Sequence, residues 1–487
     1  MLKKAAAVLL VLALLPAGAF ACTAIYIGSS LTADGSTIFG RLEEYTSDEE
    51  WPKLFEPIPE GAHTAGEVYT GCYGFTWTFT HDSYGCTAFR DNNSLGVCPD
   101  CGGTHAHTPY QAGGTNSRGV SVTATETLLG KPAIAAVDPY NTESGIEEAE
   151  IPTILLSEAA TAREAMVLLT SIYATVGACD GGGVIVGDAD EVWYIENLSG
   201  RQYIAVRLNG DLAFVCPNIS VIGLVNLNDT ENVSASDGLI ETAVRAGTFV
   251  GDAEAGLIDY AASYEGAPDS PYLRLAAGLN ALSGESLYPA DLTHAGIAGS
   301  AFRISNVDPE GEIVPPYTGI RLRGKPGIRD VMAFYRQEPI SRHRSLETHI
   351  FQISGPAEHG TLEWISMADN PSSVFVPYDP MTAADVFEHF HAVTAMPEHM
   401  AEKPADSLSY AMGDGTWGLY PEGWRDSWYW VFTMLEHIAR DDPAAAASIR
   451  ERLDALQDEI CASGEIGNPA AEHCWRTALE LLSGFGR

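Results

Sequence analysis

Cys22 constrains this chain more than any other residue, because of what stands on either side of it. Ahead of it lie Lys3 and Lys4, an apolar run from Ala5 to Leu15, Pro16 and the triplet Ala19-Phe20-Ala21. That is the charged, apolar and small-residue order of a secretory signal peptide, with cleavage expected after Ala21. Behind it, TAIYIG and STIFGR flank an Asp34-Gly35 turn, which reads as a β-hairpin. A cut after residue 21 therefore leaves a cysteine that is both the first residue and the head of the first strand. Its thiol and its α-amine have ordinary pKa values of about 8.5 and about 7.7–8. The pair can serve as nucleophile and base near neutral pH without a histidine. A lipoprotein signal also ends just before a cysteine, which is then acylated. A lipid-anchored binding protein is thus the alternative of another class, although Ala-Phe-Ala suits ordinary signal cleavage.

The chain has 487 residues, of which 46% are hydrophobic, enough for a sizeable core. Beyond the leader no apolar run is long enough to span a bilayer, so no stable membrane anchor is expected. A net charge of −38 argues against nucleic acid and anionic membranes as partners. Export makes nine cysteines a matter of pairing. With Cys22 reserved for chemistry, eight remain, enough for up to four disulfides, and Cys461 with Cys474 is the readiest pair. The segment CPDCGGTHAH brings Cys98, Cys101, His105 and His107 close together. Structural zinc sites normally separate their two ligand pairs further, so no metal and no cofactor is expected.

Further strand candidates are GVSVTATET, GGGVIVGD, EVWYIEN, QYIAVRL and LAFVCPN, read from alternation and β-branched residues. IPTILLSEAATAREAMVLLTSIYAT reads as helical, and after Met381 the chain turns predominantly helical. A Gly/Pro-rich zone near 315–327 is a candidate subdomain seam. These patterns predict a signal peptide over 1–21, a catalytic unit over 22–380 and a mainly helical extension over 381–487.

Arg41 and Glu44 follow the second strand, close enough to the cysteine to favour its thiolate and to hold its new amine. The order of such blocks resembles the dipeptidase A-like family of cysteine peptidases. These are N-terminal nucleophile hydrolases, more distantly related to penicillin V acylase and bile salt hydrolase. Cys22 opens the block, the Asp34-Gly35-Ser36-Thr37 turn follows, and Arg41-Leu42-Glu43-Glu44 comes next, with Glu44 where the family usually has Asp. Gly113 to Thr127 resembles a second family segment, with Ser117 in place of the usual Glu. Residues 191–220, ending in Pro217-Asn218, resemble a third. SPYLRLAAGL, which carries Arg274, SRHRSLETHIFQI, SMADNPSSVFVPYDP and DSWYWVF resemble later ones.

The resemblance implies an α+β fold, a four-layer αββα sandwich with the helical extension appended. It implies Cys22, Arg41, Glu44, Asn116, Asn218 and Arg274 as the catalytic set, with Asn116 and Asn218 supporting an oxyanion. Glu347 and His349 are implied to shape the substrate site. The expected activity is hydrolysis of dipeptides or short peptides by a secreted or periplasmic enzyme. N-acyl amide hydrolysis on the same scaffold is the alternative.

Overall fold

The computed structural model describes residues 22–44, 50–71, 74–92, 110–126, 128–266, 272–289, 302–342, 345–354, 360–381, 383–395, 397–405, 407–412 and 415–487. The leader and the 98–107 Cys/His segment lie outside them. Two antiparallel sheets dominate. The first takes β1 (Thr23–Ile27) and β2 (Thr37–Glu44) as its centre. The second contains β3 (Lys53–Ile58), β4 (Cys86–Asp91), β5 (Gln111–Thr115), β6 (Ser121–Glu126), β7 (Gly182–Gly187), β8 (Val192–Asn197) and β9 (Tyr203–Leu208). The chain then returns to the first sheet with β10 (Ala213–Cys216) and adds β11 (Val233–Ala235) to the edge of the second. Finally β12 (Ser345–Ile353), β13 (Thr361–Met367) and β14 (Val376–Tyr378) complete the first. The strand orders are β10-β1-β2-β12-β13-β14 and β11-β9-β8-β7-β6-β5-β4-β3.

The Asp34 turn fixes the register of the hairpin. Asp34 Oδ1 accepts from the Ser36 amide (3.0 Å) and hydroxyl (2.6 Å), and Gly35 takes the left-handed φ of 81° that the turn needs. Asp34 Oδ2 also accepts from Gln352 Nε2 at 2.7 Å, which ties β12 to the same turn. Ala24 then faces Arg41, and Arg41 faces His349. Gly40 lies between, where a Cβ would stand 2.3 Å from the His349 carbonyl oxygen. The inner faces of the sheets meet through rings, with Phe89 of the second sheet 6.4 Å from Phe351 and 4.7 Å from His349 of the first.

Helices α1 (Ile151–Glu158) and α2 (Ala162–Thr175) cover the outer face of the second sheet, where Ile154, Leu155, Leu169 and Ile172 share a core with Val122, Val184 and Ile195. The stretch that reads as helical is divided into two helices. Thr161 Oγ1 accepts from the Glu164 amide (3.1 Å), and Glu164 Oε2 reaches back to the Ala160 amide (2.8 Å), so the T-x-x-E sequence starts a new helix. Helices α3 (Tyr272–Ser283) and α4 (Ile328–Tyr335) pack together beside β10. Gly278 permits the approach, since a Cβ there would meet Val215 at 2.9 Å.

After residue 381 come α5 (Trp428–Asp441), α6 (Pro443–Ser463) and α7 (Asn468–Gly484), together with a small three-stranded sheet over 399–419 that the helical expectation omitted. Phe390 joins this part to the sandwich, 4.1 Å from Trp428 and 5.9 Å from Phe55. No seam appears at 315–327. Ala33 donates its amide to the Pro326 carbonyl (3.0 Å) and Thr318 its hydroxyl to the Ala213 carbonyl (2.8 Å), lacing the zone onto the first sheet. Cys461 and Cys474 are free thiols, as are Cys86 and Cys216, so the predicted 461–474 bridge is absent and four disulfides cannot form. Cys474 is buried inside the α5–α7 core and is packed as an apolar group. Among the described residues no helix is long and apolar enough to cross a membrane.

Candidate active site

Cys22 sits at the head of β1, 5% exposed, on the face that looks toward the second sheet. Arg41 comes from the neighbouring strand. Its Nη2 donates to Cys22 Sγ at 3.2 Å and to Tyr110 Oη at 2.8 Å. Its Nη1 lies 2.6 Å from Glu148 Oε1 and also donates to the Ala124 carbonyl on β6. Tyr110 in turn donates to Glu148 Oε1 at 2.5 Å. The guanidinium is thus held by a carboxylate, a phenol and a carbonyl, and the same Nη2 that meets the phenol reaches the sulfur. Beyond lies a second buried cluster, Lys53 between Glu43 (2.5 Å) and Asp91.

Arg274 approaches from the opposite side, off α3. Its Nη1 donates to the Cys22 carbonyl and to Thr23 Oγ1 (2.9 Å), and its Nη2 to the Pro217 carbonyl (3.2 Å) and Asn218 Oδ1 (2.8 Å). Asn218 follows β10 with a left-handed φ of 64°. One arginine therefore fixes the main chain of the cysteine, and the same arginine fixes the asparagine beside it.

Residues 21–260 match the family model of Peptidase family C69. The chain is 31% identical over 376 residues to the probable dipeptidase B of Streptococcus pyogenes serotype M1, covering 74% of this chain and 72% of that protein. It is 30% identical over 383 residues to a probable dipeptidase of Salmonella dublin, covering 74% and 80%. This chain belongs to peptidase family C69. Among solved structures it is similar to a conjugated bile acid hydrolase mutant from Clostridium perfringens, at 11% identity and a TM-score of 0.33, over 71% of this chain and 89% of that one.

Two opposing influences set the charge state of the peptidase's thiol. Burial pushes Cys22 above the ordinary thiol range, and the Arg41 guanidinium pulls it back, with Glu148 and Glu43 adding to the rise. Arg41 itself is held well above its usual value, because the anionic partners around it outweigh its desolvation. Arg274 is lowered to about 10 by burial, opposed by the Glu44 carboxylate; it stays charged at neutral pH. Glu44 meets the cysteine through its carbonyl, 3.9 Å from Cys22 Sγ, while its carboxylate acts on Arg274.

The predicted set thus divides. Cys22, Arg41, Asn218 and Arg274 converge, with Glu44 alongside. Asn116 does not join them. Its Nδ2 donates to the Leu156 and Ala159 carbonyls (2.9 and 2.8 Å), its Oδ1 accepts from the Arg118 and Val120 amides (both 3.0 Å), and its own amide is given to the Val120 carbonyl. Every donor is used inside the protein, so none is left for an oxyanion, and the expectation is corrected. Glu347 and His349 are corrected likewise. His349 is fully buried between the sheets, with Nδ1 3.0 Å from Glu347, Nε2 2.8 Å from Thr123 Oγ1 and its ring stacked on Phe89. Such groups shape the core and cannot touch a substrate.

Tyr110 and Glu148 are the residues that sequence reading missed. The available signal was physical. An arginine buried beside a thiol needs an anion, and residues 147–150, Glu-Glu-Ala-Glu, are an acidic run directly ahead of α1. A cleft of about 1130 Å³ between α4, α5 and α6, lined by Arg336, Arg450, Asp369 and Glu436, contains none of the converging residues. Among the described residues no cluster of His, Cys, Asp or Glu could hold a metal ion.

Proposed function

We propose that this peptidase is an exported dipeptidase whose nucleophile is Cys22 once residues 1–21 are removed. The observation that carries the reading is the cysteine at the head of β1, with its sulfur 3.2 Å from Nη2 of an arginine that Glu148, Tyr110 and the Ala124 carbonyl hold in place. In the proposed cycle the thiol proton passes to the freed α-amine, and Arg41 favours the thiolate. The sulfur bonds to the substrate's carbonyl carbon, and Asn218 supports the oxyanion while Arg274 holds both partners in place. Collapse breaks the C–N bond as the α-ammonium returns its proton to the leaving nitrogen. Water then adds to the thioester carbon, losing a proton to the α-amine, and the C–S bond breaks. The thiolate recovers that proton, so the net change is one amide bond hydrolysed by one water.

Helices on the outer side of each of two facing sheets support a four-layer αββα arrangement, with residues 381–487 as an appended unit. Support for a dipeptide substrate comes from the two relatives named above. The leader motif supports delivery outside the cytoplasm. The test couples two measurements on one sample of exported protein, the intact mass of its amino terminus and its turnover of unmodified dipeptides. An unblocked Cys22 together with dipeptide hydrolysis is the expected result. A diacylglyceryl adduct, or a chain starting elsewhere with full activity, refutes the reading.

A further inference from the structure

The loop after Asn218 is pinned by two buried carboxylates that the reaction above does not use. Glu196, on β8 of the second sheet, accepts from the Val221 amide through Oε1 (2.8 Å) and from the Ser220 hydroxyl through Oε2 (2.6 Å). Glu265 Oε1 accepts from the Ser220 amide (2.8 Å), and its Oε2 pairs with Arg303 at 2.6 Å. Arg303 Nε returns to the Ser220 carbonyl at 3.3 Å. Glu196 and Ser220 are fully buried and Glu265 nearly so. Ser220 thereby has its amide, hydroxyl and carbonyl each held by a charged side chain. Two residues earlier the chain is left-handed at Asn218, a conformation that residues other than glycine and asparagine seldom adopt and that persists where its surroundings fix it.

The carboxylates are costly to keep. Among the described residues Glu196 has no cationic partner: it receives the two bonds above and the Tyr194 phenol, while Glu265 opposes it, and burial pushes both acids up to about 7. A turn needing only stability would be served by apolar packing. What the acids add is direction. They accept from consecutive groups on one side of the turn, and Arg274 donates to Pro217 and Asn218 on the other.

We propose that Glu196 and Glu265, acting through Ser220, are positioning residues that hold the Asn218 turn in register with the Cys22 main chain across Arg274. The inference rests on the reading of Cys22 as nucleophile. It predicts coupling between position 196 and position 218 that a role in general stability does not produce.

The experiment uses the mature full chain and the variants Glu196→Gln, Asn218→Ala and their combination. Read out are kcat and KM on a dipeptide, the rate of Cys22 alkylation by iodoacetamide, and the melting temperature. Glu196→Gln retains one acceptor oxygen but places an NH2 where the other accepted. It is expected to lower kcat about tenfold with KM and the alkylation rate within about twofold, and to lower kcat no further in the Asn218→Ala background. An unchanged kcat, an equal loss in both backgrounds, or alkylation slowed in parallel overturns the proposal. If Glu196→Gln does not fold, Ser220→Ala removes a single hydroxyl and is read the same way. Failure of the nucleophile reading shows separately, as turnover that survives Cys22→Ser.

Discussion

Two asparagines, Asn116 and Asn218, follow strands of facing sheets, are both buried and carry the same amide, yet their surroundings make them opposites. Around Asn116 the amide is spent on carbonyls 40 and 43 residues along the chain, and its oxygen on amides two and four residues away. It joins the β5–β6 turn to the end of α1. Around Asn218 the oxygen meets an arginine that also holds the main chain of Cys22, and the backbone is left-handed. The first turn is tied to a covering helix, whereas the second is tied to the main chain of Cys22. Residue type and burial do not separate a working amide from a structural one. The identity of its partners does.

The largest effect that can break this comparison belongs to the cysteine that gives the second turn its meaning. Cys22→Ser replaces a thiol by a hydroxyl far less acidic, and turnover should fall by about a thousandfold or more. The melting temperature should stay close to that of the parent, since the buried atom changes little in size. Steady-state hydrolysis of a dipeptide checks it. Undiminished activity would leave both asparagines without a catalytic neighbour.

Next come the asparagines themselves. Asn218→Ala removes a group beside the reacting carbonyl, and kcat should drop by about a hundredfold to a thousandfold. Asn116→Ala should act on the other axis. It strands two buried carbonyls and two amides, a loss of about 2–3 kcal/mol in stability, while kcat of the folded fraction stays within about threefold. Denaturant melts and active-site-titrated kinetics on the two variants separate the cases. A kinetic defect at 116 without a loss of stability would reverse the assignment.

How much of this was legible follows from the same distinction. The strands β1, β2 and β6 to β10 could be read because alternation and β-branching report burial against a sheet, whereas β3 to β5 carry no such pattern strong enough to be named. The hairpin register could be read because Asp34-Gly35-Ser36 has only a few turn geometries open to it. Cys22, Arg41, Asn218 and Arg274 could be named together from the order of their blocks. What could not be read was who consumes a hydrogen bond. The sequence context of Asn116 resembles that of a donor, but Leu156 and Ala159 lie at the end of a helix whose docking no local pattern encodes. His349 reads from sequence equally as a substrate group or a packed histidine, and only the fold shows Glu347, Thr123 and Phe89, from two sheets, closing around it. Tyr110 and Glu148 were overlooked for the converse reason, since neither stands in a motif and both are recruited by the charge of Arg41.

The smallest expected effect sharpens the comparison by testing an open valence remote from the cysteine. Glu363, on the inner face of β13, accepts from Thr87 Oγ1 at 2.7 Å, and its Oε2 has no partner. Burial, with Asp379 adding to it, pushes its acid up to about 8. The folded chain therefore keeps a proton that the unfolded chain releases near the ordinary glutamate value of about 4.3. Between those limits the native state binds more protons than the unfolded one, so this group's contribution to stability falls as pH rises from about 4.5 toward about 8. A glutamine resembles the protonated acid and cannot ionise. Glu363→Gln should consequently be close to neutral at pH 5 and gain stability over the parent at pH 8–9, on the order of 1–3 kcal/mol. Its kcat should remain within about twofold, because an unpaired oxygen that faces only core groups offers a substrate nothing. Paired melts at the two pH values measure the gain. A glutamine variant that instead lost most of its turnover would mean that open valences matter wherever they occur, and the contrast between the two asparagine turns would then need a different explanation.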